Sequence, residues 1–131
     1  DVVCAKEFKE GADSKVFSIN SIPYEYEGLD SGPKSVEKFK QIILSSSTIL
    51  WNGPVGVFEL NSFSKGTKEI GEAIAESTKN GAFSLVGGGD SVSAVKKFKL
   101  EKDVSYVSTG GGAMLESLEG KILPGISALV K

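Results

Sequence analysis

Hydrophobic residues in this chain form short continuous runs, which alternate with stretches whose apolar positions recur at helical spacing. The runs are rich in β-branched and aromatic residues and predict strands at 2–3, 15–19, 48–51, 83–86 and 104–107. The helically spaced stretches predict helices at 33–44, 64–79 and 113–118. A further helix is predicted after Asp90, with Val92, Val95 and Phe98 on its apolar face. Strands that alternate with helices are typical of βαβ crossovers, so the pattern predicts an α/β fold with a mainly parallel sheet.

Local signals mark the ends of several predicted helices. Ser31 and Pro33 fit the start of the first helix, Gly81 fits the end of the second, and Asp90 fits the N-cap of the third. The polar, proline-containing segment that ends at Gly28 is predicted to be a loop. The tail from residue 121 onward is weakly patterned.

Three of the predicted strands end abruptly in glycine-rich turns, and each turn precedes a helical pattern. These turns are residues 52–56, 87–90 and 109–112. Glycine allows close approach of the backbone to a ligand, and the first amides of a helix lack intrahelical partners at the positive end of the dipole. If the strands are parallel, we expect all three turns along one sheet edge, where open α/β sheets hold nucleotides.

The charge composition restricts both the partners and the chemistry. The 131 residues carry 15 basic and 17 acidic side chains and a net charge of −2, which gives no polycationic surface for nucleic acid or a membrane. Every basic residue is lysine, because the chain contains neither arginine nor histidine. Phosphate chemistry would therefore depend on backbone amides, lysines and a metal ion.

The single cysteine, the lengths of the apolar runs and the first residue lead to three further expectations. Cys4 has no partner for an intrachain disulfide and is expected to be a small buried hydrophobe, which suits a reducing, cytoplasmic compartment. No apolar run approaches the ~18–20 residues of a membrane span. The chain opens with Asp1 at a strand-like segment, which predicts a fragment of a longer protein.

The turn at residues 87–91 has the chemistry of a phosphate and metal site. It fits neither the dinucleotide-binding motif, because Val92 occupies the third glycine position, nor a P-loop. Amides of Gly88 and Gly89 could hold phosphate oxygens, the Ser91 hydroxyl could donate a further hydrogen bond, and the Asp90 carboxylate could bind Mg²⁺. Alternatively, Asp90 only caps its helix.

The turn at residues 52–59 combines a polar start, an apolar centre and an acidic end. Pro54 and Val57 belong to an apolar surface that could face a purine base, while Glu59 could accept hydrogen bonds from ribose and Asn52 could reach phosphates. Alternatively, this segment is a packed loop that covers the sheet edge.

The third turn and the remaining conspicuous side chains have simpler interpretations. The amide of Gly110 belongs to a positive helix end that could meet a phosphoryl group, although close packing between strand and helix requires glycine equally. Trp51 and Phe98 are expected in the core. The lysines expected to form a solvated face are Lys96, Lys97, Lys99 and Lys102.

The motifs together resemble the phosphoglycerate kinase family. The resemblance covers nearly the whole chain, and the segments that carry it are 28–34, 51–59, 87–90, 108–113 and 118–125. It implies a partial Rossmann-like three-layer sandwich, with residues 1–131 as the distal portion of the C-terminal nucleotide-binding domain of a two-domain kinase. The N-terminal domain, which would bind phosphoglycerate, is then absent, and the chain alone is expected to be inactive.

The resemblance also implies the reaction and its participants. The family transfers a phosphoryl group reversibly between 1,3-bisphosphoglycerate and MgADP in glycolysis, as a cytoplasmic and, at full length, monomeric enzyme with Mg²⁺. By motif, the adenine pocket would contain Gly28, Leu29, Pro54 and Val57, with Glu59 at the ribose. The phosphate contacts would be Asn52, Gly88, Gly89 and Ser91, with Asp90 on the metal and the Gly88 and Gly110 amides on the transferred group.

Two further expectations accompany this interpretation. Ser91 occupies a position where the family usually has threonine, which keeps the hydroxyl group. A partial parallel sheet would expose strand edges and apolar faces. The alternative function is a non-catalytic module that binds a nucleotide or phosphate.

Overall fold

A computed structural model describes residues 1–130, which contain two three-stranded sheets and the helices that pack on them. The strands are β1 (Val2–Ala5), β2 (Ser14–Phe17), β3 (Glu27–Ser31), β4 (Thr48–Trp51), β5 (Phe83–Gly87) and β6 (Tyr106–Ser108). The helices are α1 (Pro33–Leu44), α2 (Lys65–Lys79), α3 (Gly89–Lys97), α4 (Gly111–Leu118) and α5 (Pro124–Ser127), with a 3₁₀ turn at Asn61–Phe63.

The second half of the chain forms the predicted parallel sheet. Its strands lie in the order β4, β5, β6, and Leu50 pairs with Leu85, which in turn pairs with Tyr106. Helix α2 connects the first two of these strands and α3 connects the last two, as βαβ crossovers require. The α/β fold class is therefore confirmed.

The first half of the chain forms an antiparallel sheet that the hydrophobic pattern did not predict. Its order is β2, β1, β3, with a register shift between Val3 and Cys4. Strand β3 begins at Glu27, inside the segment predicted to be a loop. Glycine and acidic residues disfavour strands intrinsically, so here pairing with β1 and the burial of Leu29 and Asp30 override local propensity.

The predicted helices are present, and the N-cap residues of two of them differ from prediction. Helix α1 has Gly32 rather than Ser31 as its N-cap, and the Asp1 carboxylate accepts hydrogen bonds from the amides of Lys34 at 3.2 Å and Ser35 at 2.8 Å. Helix α3 has Gly88 as its N-cap, so the prediction of Asp90 in that position was wrong. Asp90 instead lies in the first turn, where a carboxylate still stabilises the positive helix end.

The main hydrophobic core lies between the parallel sheet and helices α1 to α3. Its buried residues are Val36, Ile49, Trp51, Phe58, Ile70, Ile74, Val86, Ala94 and Val95. The Trp51 indole N–H donates to the carbonyl of Gly53 at 2.7 Å, so this buried donor is satisfied, and Phe98 packs against the same cluster. Both aromatic residues therefore belong to the core, as expected.

A smaller core lies beside the antiparallel sheet and contains Ala5, Ala12, Leu29 and Phe63. Cys4 is fully buried, and desolvation raises the pKa of its thiol, which agrees with its expected role as a buried hydrophobe. None of the helices within residues 1–130 has the length and apolar character needed to cross a bilayer.

One face of the parallel sheet is apolar and open. Leu50 is 42% exposed, Phe83 53% and Tyr106 61%, and Leu85 lies among them in the strand register. The opposite face, which contains Ile49 and Val86, is covered by helices. Parallel sheets are normally covered on both faces, so this open face agrees with the expectation that apolar surface is exposed.

This difference between the two faces can be measured. The double substitution Leu50→Thr, Phe83→Thr should lower the fluorescence of an apolar-surface dye on the folded chain and change the free energy of unfolding by only ~0.5 kcal/mol. The matched control Ile49→Thr, on the covered face, should lower that free energy by about 1–3 kcal/mol. Equal destabilisation by both variants would contradict the assignment of faces.

Candidate functional site

The three glycine turns meet at the carboxyl edge of the parallel sheet. A Cβ atom placed on Gly111 would lie 2.6 Å from the Gly88 Cα and 2.8 Å from the Asn52 Oδ1. The Gly88 amide also donates to the carbonyl of Ser108 at 3.2 Å. The turns that follow β4, β5 and β6 are therefore in direct contact, which confirms the expectation that they lie along one edge.

Glycine is required at the centre of this contact for two reasons. Gly88 has a φ of +90°, a conformation that residues with a Cβ rarely adopt. A Cβ at the same position would also lie 2.7 Å from the Asn52 Oδ1. The backbone can therefore approach another group closely here only because no side chain intervenes.

Two helix starts present amides at this edge. The first helical hydrogen bond of α3 runs from Val92 to Gly88 and that of α4 from Met114 to Gly110, both at 3.0 Å. Within residues 1–130, the amides that precede these bonds have no main-chain acceptor, and they belong to Gly89, Asp90, Ser91, Gly111, Gly112 and Ala113. Two positive helix ends thus lie side by side, an arrangement suited to a polyanion.

The two amides expected to contact a transferred phosphoryl group are hydrogen-bonded within the chain. The Gly88 amide donates to the Ser108 carbonyl and the Gly110 amide donates to the Ser108 Oγ, each at 3.2 Å. Of the neighbouring amides without a main-chain acceptor, that of Gly89 was predicted to bind phosphate, whereas that of Gly111 was not singled out by the sequence pattern. The exact start of each helix decides which amides stay without an acceptor, and that start depends on the tertiary contact.

Asp90 and Ser91 face different surroundings although they are adjacent. The Asp90 carboxylate is exposed at the start of α3. Ser91 is fully buried, and its Oγ accepts a hydrogen bond from the Gly53 amide at 2.6 Å. Asp90 is therefore available to solvent, whereas the Ser91 side chain connects α3 to the first glycine turn.

The residues predicted to contact adenine line one cleft. Gly28, Leu29, Pro54 and Val57 lie around a groove of about 340 Å³ between β3 and the first glycine turn. The Leu29 carbonyl accepts a hydrogen bond from the Val57 amide at 2.8 Å, which joins the two walls. Leu29 is only 4% exposed, so its side chain supports the cleft from the smaller core.

Glu59 lies at the far end of the same turn and is exposed, whereas Asn52 lies at its start beside Gly88. Lysines 96, 97, 99 and 102 are exposed, as expected of a solvated face, and Lys97 in addition makes a tertiary contact. Its Nζ donates hydrogen bonds to the carbonyls of Phe58 at 2.7 Å and Glu59 at 3.1 Å. The sequence pattern missed this contact because it joins residues nearly forty positions apart.

Asp30 is a buried carboxylate under the cleft that the sequence analysis also missed. It is 4% exposed and accepts hydrogen bonds from the amides of Ser31 at 2.9 Å and Gly66 at 2.8 Å. A Cβ on Gly56 would lie 2.1 Å from the Asp30 Oδ1. The first glycine turn can therefore pass over the Asp30 carboxylate only because residue 56 is glycine. Asp30 thus joins β3, the cleft turn and the start of α2.

Burial raises the pKa of Asp30, and the nearby Glu69 carboxylate also raises it, whereas the amides of Gly66 and Ser31 lower it. The folded chain therefore binds this proton more tightly than the unfolded chain. The resulting stabilisation is fully present below the ordinary pKa of about 3.8 and is lost as the pH rises through the raised folded value.

Asp30→Asn should expose this linkage in equilibrium unfolding measured from pH 4 to pH 7. An amide side chain offers one acceptor oxygen where the carboxylate uses two. We therefore expect the free energy of unfolding to fall by about 1–3 kcal/mol. The difference in the free energy of unfolding between wild type and Asp30→Asn should shrink as the pH rises. A loss of unfolding free energy in Asp30→Asn that grows with pH would contradict this account.

Gly111→Ala tests the contact between the turns. Its methyl group would meet Gly88 and Asn52 and should lower the free energy of unfolding by about 1–3 kcal/mol. Gly112→Ala is the matched control, because a Cβ there has no heavy atom within 4 Å. In a helix this control should be neutral or stabilising by up to ~1 kcal/mol. Equal effects of the two variants would rule out the close approach.

Comparison with known proteins identifies the family. The family model described as Phosphoglycerate kinase matches residues 1–121. Among curated relatives, the phosphoglycerate kinase of Porphyromonas gingivalis is 60% identical over 129 residues, covering 98% of this chain and 31% of the relative. That of Corynebacterium diphtheriae is 54% identical over 130 residues, with 98% and 32% covered.

Solved structures agree with these relatives. Phosphoglycerate kinase from Coxiella burnetii matches with a TM-score of 0.85 and 44% identity, covering 92% of this chain and 31% of that one. The enzyme from Pyrococcus horikoshii matches with a TM-score of 0.80 and 33% identity, covering 98% and 31%. The chain thus spans about a third of the length of the proteins it matches. Because the family model covers most of its length and curated relatives share more than half of its residues, this chain belongs to the phosphoglycerate kinase family.

Proposed function

We propose that the protein containing this chain transfers a phosphoryl group reversibly between 1,3-bisphosphoglycerate and MgADP, giving 3-phosphoglycerate and MgATP. In this proposal the chain supplies part of the nucleotide site. The single observation that carries it is the contact of the three glycine turns at one sheet edge, with two helix starts directed at the same place. Family membership supports the choice of this reaction.

The cleft between β3 and the first glycine turn is proposed to hold the nucleoside. Gly28, Leu29, Pro54 and Val57 would form its adenine walls. Glu59, at the end of the same turn, would accept hydrogen bonds from the ribose hydroxyls. A groove with walls formed by Leu29, Pro54 and Val57 suits a planar base.

The nucleotide phosphates are proposed to extend from this cleft to the contact of the three turns. Asn52 and the amides of Gly88, Gly89 and Ser91 would bind their oxygens. The amides of Gly89 and Ser91, in the first turn of α3, have no main-chain acceptor, whereas that of Gly88 donates to the Ser108 carbonyl. The buried Ser91 hydroxyl would act by holding Gly53 in place. No arginine is needed for this arrangement.

The donor set also suits Mg²⁺. Asp90 offers an exposed carboxylate beside the proposed phosphate position, and magnesium is usually held by one or two carboxylates together with substrate phosphates. Within residues 1–130 no cluster of three or more acidic, cysteine or histidine ligands is present, which agrees with a metal shared between Asp90 and the nucleotide. Bound Mg²⁺ would neutralise phosphate charge.

The amides of Gly88 and Gly110 are proposed to stabilise charge on the transferred group. Both now donate to Ser108 at 3.2 Å, so each would exchange an internal acceptor for a phosphoryl oxygen. Phosphoryl transfer depends mainly on alignment and on stabilisation of charge, and backbone amides supply both.

The remaining parts of the proposal concern the whole protein. Residues 1–131 would be the distal part of the C-terminal nucleotide-binding domain, and a separate N-terminal domain would bind 3-phosphoglycerate. The chain alone would then lack turnover, because the transfer needs both reactants bound in line. The complete protein would act as a monomeric glycolytic enzyme in the cytoplasm, with no nucleic acid or membrane as partner.

Asp90→Asn tests the metal assignment by calorimetric titration of the complete protein. We expect the affinity for MgADP to fall at least about tenfold, ~1.4 kcal/mol, and the affinity for ADP in the presence of a chelator to change little. Asp103→Asn, an exposed aspartate away from the turns, is the matched control. Equal MgADP affinity in the Asp90 variant and wild type would exclude Asp90 from the metal site.

A coupled assay of the complete protein tests the reaction itself. ATP formed from 1,3-bisphosphoglycerate and MgADP is the expected outcome. Tight MgADP binding without turnover would instead show a non-catalytic nucleotide-binding module and overturn the proposal.

A further inference from the structure

Helix α3 contacts the segment of residues 52–59, which begins with the first glycine turn, at both of its ends. At its start, the buried Ser91 accepts a hydrogen bond from Gly53. At its end, Lys97 donates to the carbonyls of Phe58 and Glu59. The helix that would bind the phosphates therefore also holds the segment proposed to meet the ribose.

The segment around Glu59 is fixed by its neighbours rather than by its own side chain. Phe58 is 5% exposed and packs in the main core. Two residues after Glu59, the Glu10 carboxylate accepts hydrogen bonds from the amides of Asn61 at 2.6 Å and Ser62 at 3.0 Å. Within the described residues the Glu59 carboxylate has no hydrogen-bond or ion-pair partner, so its direction follows from the path of the main chain.

Lys97 is chemically suited to fix that path. An ammonium group carries three donors, and two adjacent carbonyls accept two of them in this structure. Hydrogen bonds from a charged donor are roughly twice as strong as neutral ones. The hydrogen bonds that Glu10 accepts from Ser62 and Asn61 lower its pKa, and the Lys97 charge adds a smaller effect in the same direction.

We propose that Lys97 is a positioning residue for ribose recognition: it binds the Phe58 and Glu59 carbonyls and thereby directs the Glu59 carboxylate at the ribose hydroxyls. This inference rests on the proposed nucleotide site. Lys97 acts through Glu59 and does not itself contact the nucleotide. The neighbouring Lys96 belongs to the same helix turn, its side chain has no hydrogen bond within residues 1–130, and it has no such role.

The test is a kinetic comparison of Lys97→Met with Lys96→Met in the complete protein. Methionine keeps most of the side-chain length and removes the donors. We expect the KM for MgADP to rise about three- to tenfold in Lys97→Met. In Lys97→Met, the kcat and the KM for 1,3-bisphosphoglycerate should not change. Lys96→Met should match wild type in all three constants. Lys97→Arg, which keeps charged donors, should have a KM for MgADP close to that of wild type.

A nucleotide without ribose hydroxyls separates positioning from a general loss of structure. With 2′,3′-dideoxy-ADP in place of ADP, the KM should be the same in Lys97→Met and wild type, because Glu59 then has nothing to bind. A proportional rise for both nucleotides, or a rise for both substrates, would overturn the proposal.

Glu59→Met, which removes the acceptor oxygens, distinguishes failure of this inference from failure of the proposed ribose contact. If Glu59→Met leaves the KM for MgADP unchanged, Glu59 does not bind the ribose, and the proposed ribose contact and the role of Lys97 both fail. If Glu59→Met raises that KM and Lys97→Met does not, only the role of Lys97 fails. If both raise it, the double variant should be no worse than Glu59→Met alone.

Discussion

Parallel pairing of β4, β5 and β6 in sequential order is the constraint on which this structure depends. Because all three strands run in the same direction, the turns that follow them must leave from one edge of the sheet. Two of the turns are then close enough that Gly111 reaches the backbone of Gly88. Two helix starts become neighbours, and their amides can act on one polyanion together.

Such a close approach leaves no room for side chains, so the site is built almost wholly from backbone. This explains how a chain without arginine or histidine can supply the proposed phosphate site. The positive potential at this place comes from the helix ends. The lysine side chains are therefore not needed for it and can make other contacts. Asp90 adds the one exposed carboxylate that the proposed metal requires.

Charged side chains outside the glycine turns determine the shape of the cleft. The Asp30 carboxylate lies beneath Gly56 and accepts the Gly66 amide, so the centre of the cleft turn rests on a buried charge. Lys97 holds the other end of the same turn through two carbonyls. Burial of a carboxylate is costly, and the two amides that donate to Asp30 offset only part of that cost, because its pKa stays raised.

Much of the site was predictable because it depends on local signals. A β-branched run followed by glycines and a helical repeat predicted the parallel strands, the turns and the helices α1 to α4 within a few residues. The resemblance in the same motifs also indicated the family, and the comparisons confirmed it. The antiparallel sheet was harder to predict from the sequence, because β3 contains glycine and acidic residues whose strand conformation depends on pairing with β1.

The sequence by itself therefore determined the α/β class, the glycine turns and the family, because these follow from residue type and spacing along the chain. The tertiary structure alone decided which amides stay without an acceptor and that Ser91 is buried against Gly53. It alone also decided that Asp30 and Lys97 support the cleft. The physical reason is that these contacts join residues 36 to 39 positions apart, and such pairs have no signature in local periodicity or propensity.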